Sequence, residues 1–142
     1  MKQGYFEIVK NEALTENVYR MVLRGDTSAI TAPGQFVNIK LDGFYLRRPI
    51  SVCDVEEDLL TIIYKTVGKG TAQMSKMQQG QLDLLTGLGN GYDLIVSGDK
   101  PVLLGGGVGV PPMYGLCKRL VAMGKHPVVI LGYASAEDVL YE

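Results

Sequence analysis

The strongest constraint on how this chain folds is a change of rhythm after Ser97. Upstream, "YFEIV", "NVYRMVL", "FVNIKL", "YLRRPISV", "LLTIIYKTV" and "QLDLL" are rich in β-branched and aromatic residues. Several of them alternate apolar with polar side chains, the period of a half-buried strand. Turn chemistry separates them at Pro33-Gly34, Asp42-Gly43 and Asn90-Gly91, and no long helical pattern intervenes before "GTAQMSKMQQG". Six short strands without crossover helices predict an antiparallel barrel or sandwich over residues 1–97.

Downstream the period lengthens. The strand "PVLLG" is followed by Met113, Leu116, Cys117, Leu120 and Val121, spaced as one face of a helix. Pro111 and Pro112 suit the first turn of that helix, where a missing amide proton costs little, and Gly124 suits its C-terminal cap. The run "HPVVILGYAS" then reads as a parallel strand buried on both faces. A βαβ unit is therefore expected over residues 98–142, with "VSGDKP" as the junction. Ser135, followed by Glu137 and Asp138, predicts the start of one more helix, which the end of the sequence interrupts.

Composition excludes several functions. With 142 residues, 46% of them hydrophobic, and Lys+Arg (14) balancing Asp+Glu (15), the chain can bury an ordinary core and presents no dedicated nucleic-acid surface. No run approaches the roughly 18 apolar residues of a membrane span, and the opening "MKQGYFEIVKNE" lacks the apolar stretch of a signal peptide. A cytoplasmic protein, without membrane or nucleic acid as partner, is expected. Cys53 and Cys117 lie far apart with no metal-ligand spacing, and read as small buried side chains. His126, the one histidine, precedes the last strand and reads as structural.

Three segments carry chemistry. The first is "LLGGGVGVPPM", glycines between a strand and a helix, where backbone amides and the helix N-terminus favour an anion. It departs from the common dinucleotide fingerprint: counting from Gly105 and Gly107, the third position is Val110, and no acidic residue ends the next strand. No Lys-Ser or Lys-Thr follows, which excludes a P-loop. The second is "LRRPIS". Adjacent strand residues point to opposite faces, so Arg47 and Arg48 cannot both serve one site. One of them, beside the rigid Pro49 and the hydroxyl of Ser51, could pair with a diphosphate. The third is "GKGTAQMSKM", in which Gly70 and Thr71 open a short amphipathic helix and form a second phosphate cradle.

In this order the segments resemble ferredoxin reductase-like flavoproteins. "PGQFVNIKL", "LRRPISVCD", "IIYKTVGKGTAQMSKMQQGQ", "LTGLGNGYDL" and "LLGGGVGVPPMYGLCKRL" together are most similar to the electron-transfer subunits of NAD-dependent, two-subunit bacterial dihydroorotate dehydrogenases. The resemblance implies a six-stranded antiparallel Greek-key FAD-binding barrel followed by the first part of a parallel NAD-binding domain. It implies that Arg48, Pro49, Ile50 and Ser51 line the flavin and its diphosphate, with Ile50 where many relatives carry tyrosine. Ile63, Tyr64 and Lys65 would form the second contact strand, and Gly70 and Thr71 the phosphate cradle. Gly105, Gly106, Gly107 and Gly109 would hold the pyridine nucleotide, with no acid or base residue required. The partner implied is an FMN-containing catalytic subunit, reached through a [2Fe-2S] cluster on four cysteines. This chain has two cysteines, neither in a cysteine-rich segment, so the resemblance implies a piece that lacks the cluster ligands. Reductase subunits of sulfhydrogenases or of NAD(P)H:ferredoxin complexes share the layout. A truncated chain that associates with itself through its open half-sheet is the non-enzymatic alternative.

Overall fold

The computed structural model describes residues 1–141. Six antiparallel strands close a barrel: β1 (Lys2–Ala13), β2 (Val18–Arg24), β3 (Phe36–Ile39), β4 (Arg48–Glu56), β5 (Leu59–Lys65) and β6 (Gln81–Leu88). Around the barrel they run β1-β2-β5-β4-β3-β6 and return to β1. The chain leaves β2, crosses to β3, meanders back through β4 and β5, and inserts β6 between β3 and β1, which is a Greek key. Every barrel strand is thus paired with a neighbour on both sides over at least part of its length.

Period-two alternation fills the interior. Phe6, Met21, Leu23, Val37, Ile39, Leu60, Ile62, Tyr64 and Leu84 are essentially fully buried and form one core. Each such apolar side chain contributes about 1.5–3 kcal/mol relative to exposure. The glycines of the three expected turns, Gly34, Gly43 and Gly91, all take positive φ (90°, 82° and 74°), as turn chemistry requires.

One difference from the sequence reading matters for the site, and one expected element sits beside it. β4 starts at Arg48 rather than Tyr45, because the Asp42-Gly43 turn sends residues 44–46 around the Arg48 side chain. A short helix, α1 (Lys69–Ser75), sits between β5 and β6 at that same end of the barrel.

Beyond the barrel, β7 (Val102–Gly106), α2 (Val110–Ala122) and β8 (Val128–Gly132) form the βαβ unit. β7 and β8 pair in parallel from Val102↔Val128 to Gly106↔Gly132. Leu103, Met113, Leu116 and Leu120 make its small core. The expected burial of the last strand on both faces is not observed. Val102 (63%), Leu104 (73%), Val128 (52%) and Ile130 (50%) are exposed, because α2 covers only one side of a two-stranded sheet. The helix expected after Ser135 is a single 3-10 turn, Ala136–Asp138. After it the backbone becomes extended at Val139, and Leu140 packs back among Val18, Cys53, Ile63 and Val110. No helix among the described residues is long and apolar enough to cross a membrane.

Candidate functional site

The site begins with a split in the barrel wall. β4 and β5 pair only from Val52↔Ile62 to Glu56↔Leu59. Above that pair β4 continues beside β3 through Arg48, and β5 continues beside β2 through Lys65. Residues 48–51 and 63–65 therefore face each other across a slot with no ladder between them. The pairing shift between Val52 and Asp54 marks where the strands part, as bulges commonly do beside functional sites.

Arg48 and α1 close one end of this slot. The Arg48 guanidinium lies 4.8 Å from the Phe44 ring centroid, and its Nη1 donates to the Leu46 carbonyl. A Cβ on Gly70 would come within 2.6 Å of Arg48 Nε, so glycine is what lets the arginine lie against the helix start. Thr71 is buried, and its hydroxyl is used within the turn. It accepts from the amides of Val67 (2.9 Å) and Gly68 (3.3 Å) and donates to the Gly68 carbonyl. What Gly70 and Thr71 can offer a ligand is thus backbone.

The two arginines separate as expected. Arg47 turns away from the slot and makes a bidentate pair with Asp83 on β6, Nη2 to Oδ2 at 3.0 Å and Nη1 to Oδ1 at 3.1 Å. That guanidinium holds the Asp83 carboxyl below the ordinary carboxylate range. Among the described residues Arg48 pairs with no carboxylate, and its charge remains for a ligand.

Pro49 and Ser51 are exposed, whereas Ile50 is half-buried against the barrel core. On β5 the Tyr64 ring is buried, stacks on Tyr19 at 5.8 Å, and donates its hydroxyl to Asn11 Oδ1 at 3.0 Å. Burial pushes that phenol up to about 12. Ile63 is buried on the outside of the wall against Val110. Ile63 and Tyr64 therefore present backbone to the slot, and only Lys65 has an exposed side chain there.

The glycine loop meets the slot at its other end. Gly105 is tightly packed, since a Cβ there would come within 3.1 Å of Val110 Cα. Gly106, Gly107 and Gly109 face open space. Pro111 and Pro112 contribute no amide, and the Val110 amide is spent on the Gly107 carbonyl. An anion here would be met by the loop more than by the first turn of α2. Val110 packs with Ile63, Cys53 and Val18, which brings the loop to the base of the slot.

Two residues that sequence reasoning passed over hold this junction. A Cβ on Gly115 would lie 2.5 Å from the Cys53 carbonyl oxygen, so α2 can lie on β4 only with glycine at that position. Lys118 Nζ reaches Asp54 Oδ2 at 2.9 Å and Glu56 Oε1 at 2.8 Å, and these partners raise its pKa. A glycine inside a helical pattern was the available signal, because it costs stability unless another backbone approaches. Cys53 is sealed beneath α2, where burial raises its thiol to about 11. His126 is exposed; its backbone amide donates to the Asp99 carbonyl.

No family model matches the chain. It is 41% identical over 151 aligned positions to the dihydroorotate dehydrogenase B (NAD(+)) electron transfer subunit of Bacillus pumilus, covering 100% of this chain and 58% of that protein. The corresponding subunit of Fusobacterium nucleatum is 39% identical over 95% of this chain and 56% of its own length. Over nearly its whole length the chain is similar to these electron transfer subunits. It spans a little under three fifths of their length. Among solved structures, an NADH-dependent reduced ferredoxin-NADP oxidoreductase superposes with TM-score 0.85 at 30% identity, over 96% of this chain and 51% of the other. A ferredoxin NADP+ reductase from Neisseria gonorrhoeae with bound FAD and NADP superposes at 0.81 over 98% of this chain and 61% of the other. At 21% identity the second likeness shows the fold alone. Greek-key barrel and first βαβ unit are thus the arrangement of ferredoxin reductase-like proteins.

Proposed function

We propose that the slot between β4 and β5 binds FAD, and that the chain forms the flavin-binding part of an electron-transfer subunit linking an NAD pool to a partner oxidoreductase. The observation that carries this reading is the split itself: two unpaired strand edges, residues 48–51 and 63–65, the first starting at Arg48, which has no carboxylate partner among the described residues and lies against Gly70. In this fit Arg48 neutralises the diphosphate, assisted by the backbone of Gly70 and Thr71. Pro49, Ser51 and the backbone of Ile63, Tyr64 and Lys65 line the ring, and Ile50 supports the wall from inside. When bound, FAD would supply the redox chemistry.

The residues of this chain bind, orient and exclude water. Ser51 offers a hydroxyl to a polar ring edge, and the Val110–Ile63 contact sets Gly105, Gly106, Gly107 and Gly109 beside the slot as the pyridine-nucleotide loop. A [2Fe-2S] cluster takes four ligands. The two cysteines, one beneath α2 and one on it, do not fit such a cluster, and among the described residues no group of three or more His, Cys, Asp or Glu could hold a metal ion. The partner this reading implies is the FMN-containing dihydroorotate dehydrogenase catalytic subunit in the cytoplasm, with pyrimidine synthesis as the context.

The test is the visible spectrum of the chain saturated with FAD, before and after NADH. Bands that bleach support both halves of the reading. Bands that persist would limit it to flavin binding, and an absence of bound flavin would refute it. A second reading is favoured by the bare sheet face of Val102, Leu104, Val128 and Ile130, namely self-association of this chain. A monomer in sedimentation at high concentration would exclude it.

A further inference from the structure

The alternation of β1 breaks at Val9, and the break re-aims one polar side chain. Ile8 pairs with Leu23, but the next pairs are Lys10↔Val22 and Asn11↔Met21, so β1 holds one extra residue. Phe6 and Ile8 are buried in the barrel, and an unbroken period of two would turn Lys10 inward after them. The bulge instead leaves Lys10 exposed and sends Asn11 to the core, opposite Met21, where it is 6% exposed. A carboxamide buried beside Tyr64 and Met74 carries a desolvation cost that hydrogen bonds must offset.

Those bonds go to α1. Asn11 Nδ2 donates to the carbonyls of Met74 at 2.9 Å and Met77 at 2.8 Å, and Oδ1 accepts from the Tyr64 hydroxyl at 3.0 Å. Gln78 Nε2 donates back to the Asn11 carbonyl at 3.2 Å. Seven residues are too few for a helix to hold itself in water, and Gly68 at its start has no side chain to cap it. Carbonyls at the end of α1 and in the turn after it are therefore held from the barrel interior by a residue of β1. Met74 is fully buried in the barrel core beside this anchor. At the other end of the same helix, Gly70 lies against Arg48.

We infer that Asn11 is a positioning residue for the site: it fixes α1 from inside the barrel, and through Gly70 it fixes the place of the Arg48 guanidinium. The inference rests on the flavin reading above. Buried within the barrel, Asn11 reaches the slot only through α1, from the Met74 carbonyl to Gly70 one turn away. A helix that lifts from Asn11 leaves Arg48 without the surface against which it lies. FAD then binds well only to the fraction of chains in which α1 is docked, and its apparent affinity falls by that fraction. The bulge at Val9 is what gives β1 this second task, since without it the same position would face outward.

The experiment joins FAD titration with amide hydrogen exchange on the native chain, Asn11→Leu and Asn11→Gln. Leucine branches at the same carbon as asparagine and brings no hydrogen-bonding group. Asn11→Leu is expected to weaken FAD roughly ten-fold, as for a helix docked a tenth of the time. The amides of Ala72, Lys76 and Met77, which close α1 and the turn after it, are expected to exchange faster than in the native chain. Barrel amides such as those of Val22 and Ile62 are expected to keep their native rates, and added FAD to slow exchange in α1. Asn11→Gln keeps the carboxamide and is expected to retain more affinity than Asn11→Leu. Should Asn11→Leu fail to fold, Asn11→Ala removes the same donors without added bulk and carries the same predictions. Native FAD affinity in the folded variant would overturn the assignment while leaving the flavin reading intact. So would α1 exchange at the native rate, or exchange that rises equally in barrel and helix, as for a residue that only supports the core. No FAD binding by the native chain would overturn both.

Discussion

Replacing Gly70 by alanine separates binding from folding at the centre of the site. The new Cβ would stand 2.6 Å from Arg48 Nε, 2.9 Å from Nη2 and 3.0 Å from Cζ, so the guanidinium must move. It can move, because it is the far end of a flexible side chain. The fold loses little: giving up an exposed contact with Phe44 costs about 0.5–1 kcal/mol. Alanine in place of helical glycine returns roughly 0.5–1 kcal/mol, so the melting temperature is expected to stay close to that of the native chain. Binding should respond differently. A charge-assisted hydrogen bond contributes about 1.5–3 kcal/mol, which corresponds to a loss of roughly 10- to 150-fold in FAD affinity. Titration followed by flavin fluorescence measures this directly. If Gly70 acts through Arg48, the double variant Gly70→Ala/Arg48→Ala should bind no more weakly than Arg48→Ala alone. Native affinity in a folded Gly70→Ala chain would refute the reasoning.

Two further outcomes follow from the same geometry. Asp83→Asn removes the charged partner of Arg47 and is expected to cost about 1–2 kcal/mol near neutral pH, the scale of a partly buried charge-assisted pair. Because Arg47 depresses the Asp83 pKa below 3.8, the native pair stabilises the fold above that value and is lost as pH falls through the depressed one. Denaturant melts of the two proteins should therefore converge in acid, and a gap independent of pH would contradict the assignment. Gly115→Ala places a Cβ 2.5 Å from the Cys53 carbonyl, which is backbone and cannot step aside. Overpacking of about 1–3 kcal/mol should exceed the helix-propensity gain of about 1 kcal/mol. The melting temperature should fall, and a rise would show that propensity alone operates there.

The strand count, the βαβ unit and the separation of Arg47 from Arg48 were legible in the sequence because each depends on local periodicity. The choice of Arg48 for the slot was carried by the resemblance; what the structure adds is Asp83, a β6 residue 36 positions away that pairs with Arg47. The slot itself was not legible. It exists because β4 parts from β5 at Val52↔Ile62, a register effect that no single segment encodes. Tyr64 looked like a contact residue, but its alternation places the ring inside the barrel with Asn11, 53 positions away. The exposure of Val128 and Ile130 was also missed, since an apolar run does not show how many neighbouring elements will cover it.

The central claim, that the split barrel wall is a flavin site, is tested most directly by whether FAD stays with the protein. The chain is incubated with excess FAD, passed through gel filtration, and its protein peak scanned for flavin absorbance. The account predicts close to one FAD per native chain and loss of most of it in Arg48→Ala. A colourless native peak from a folded chain would contradict it.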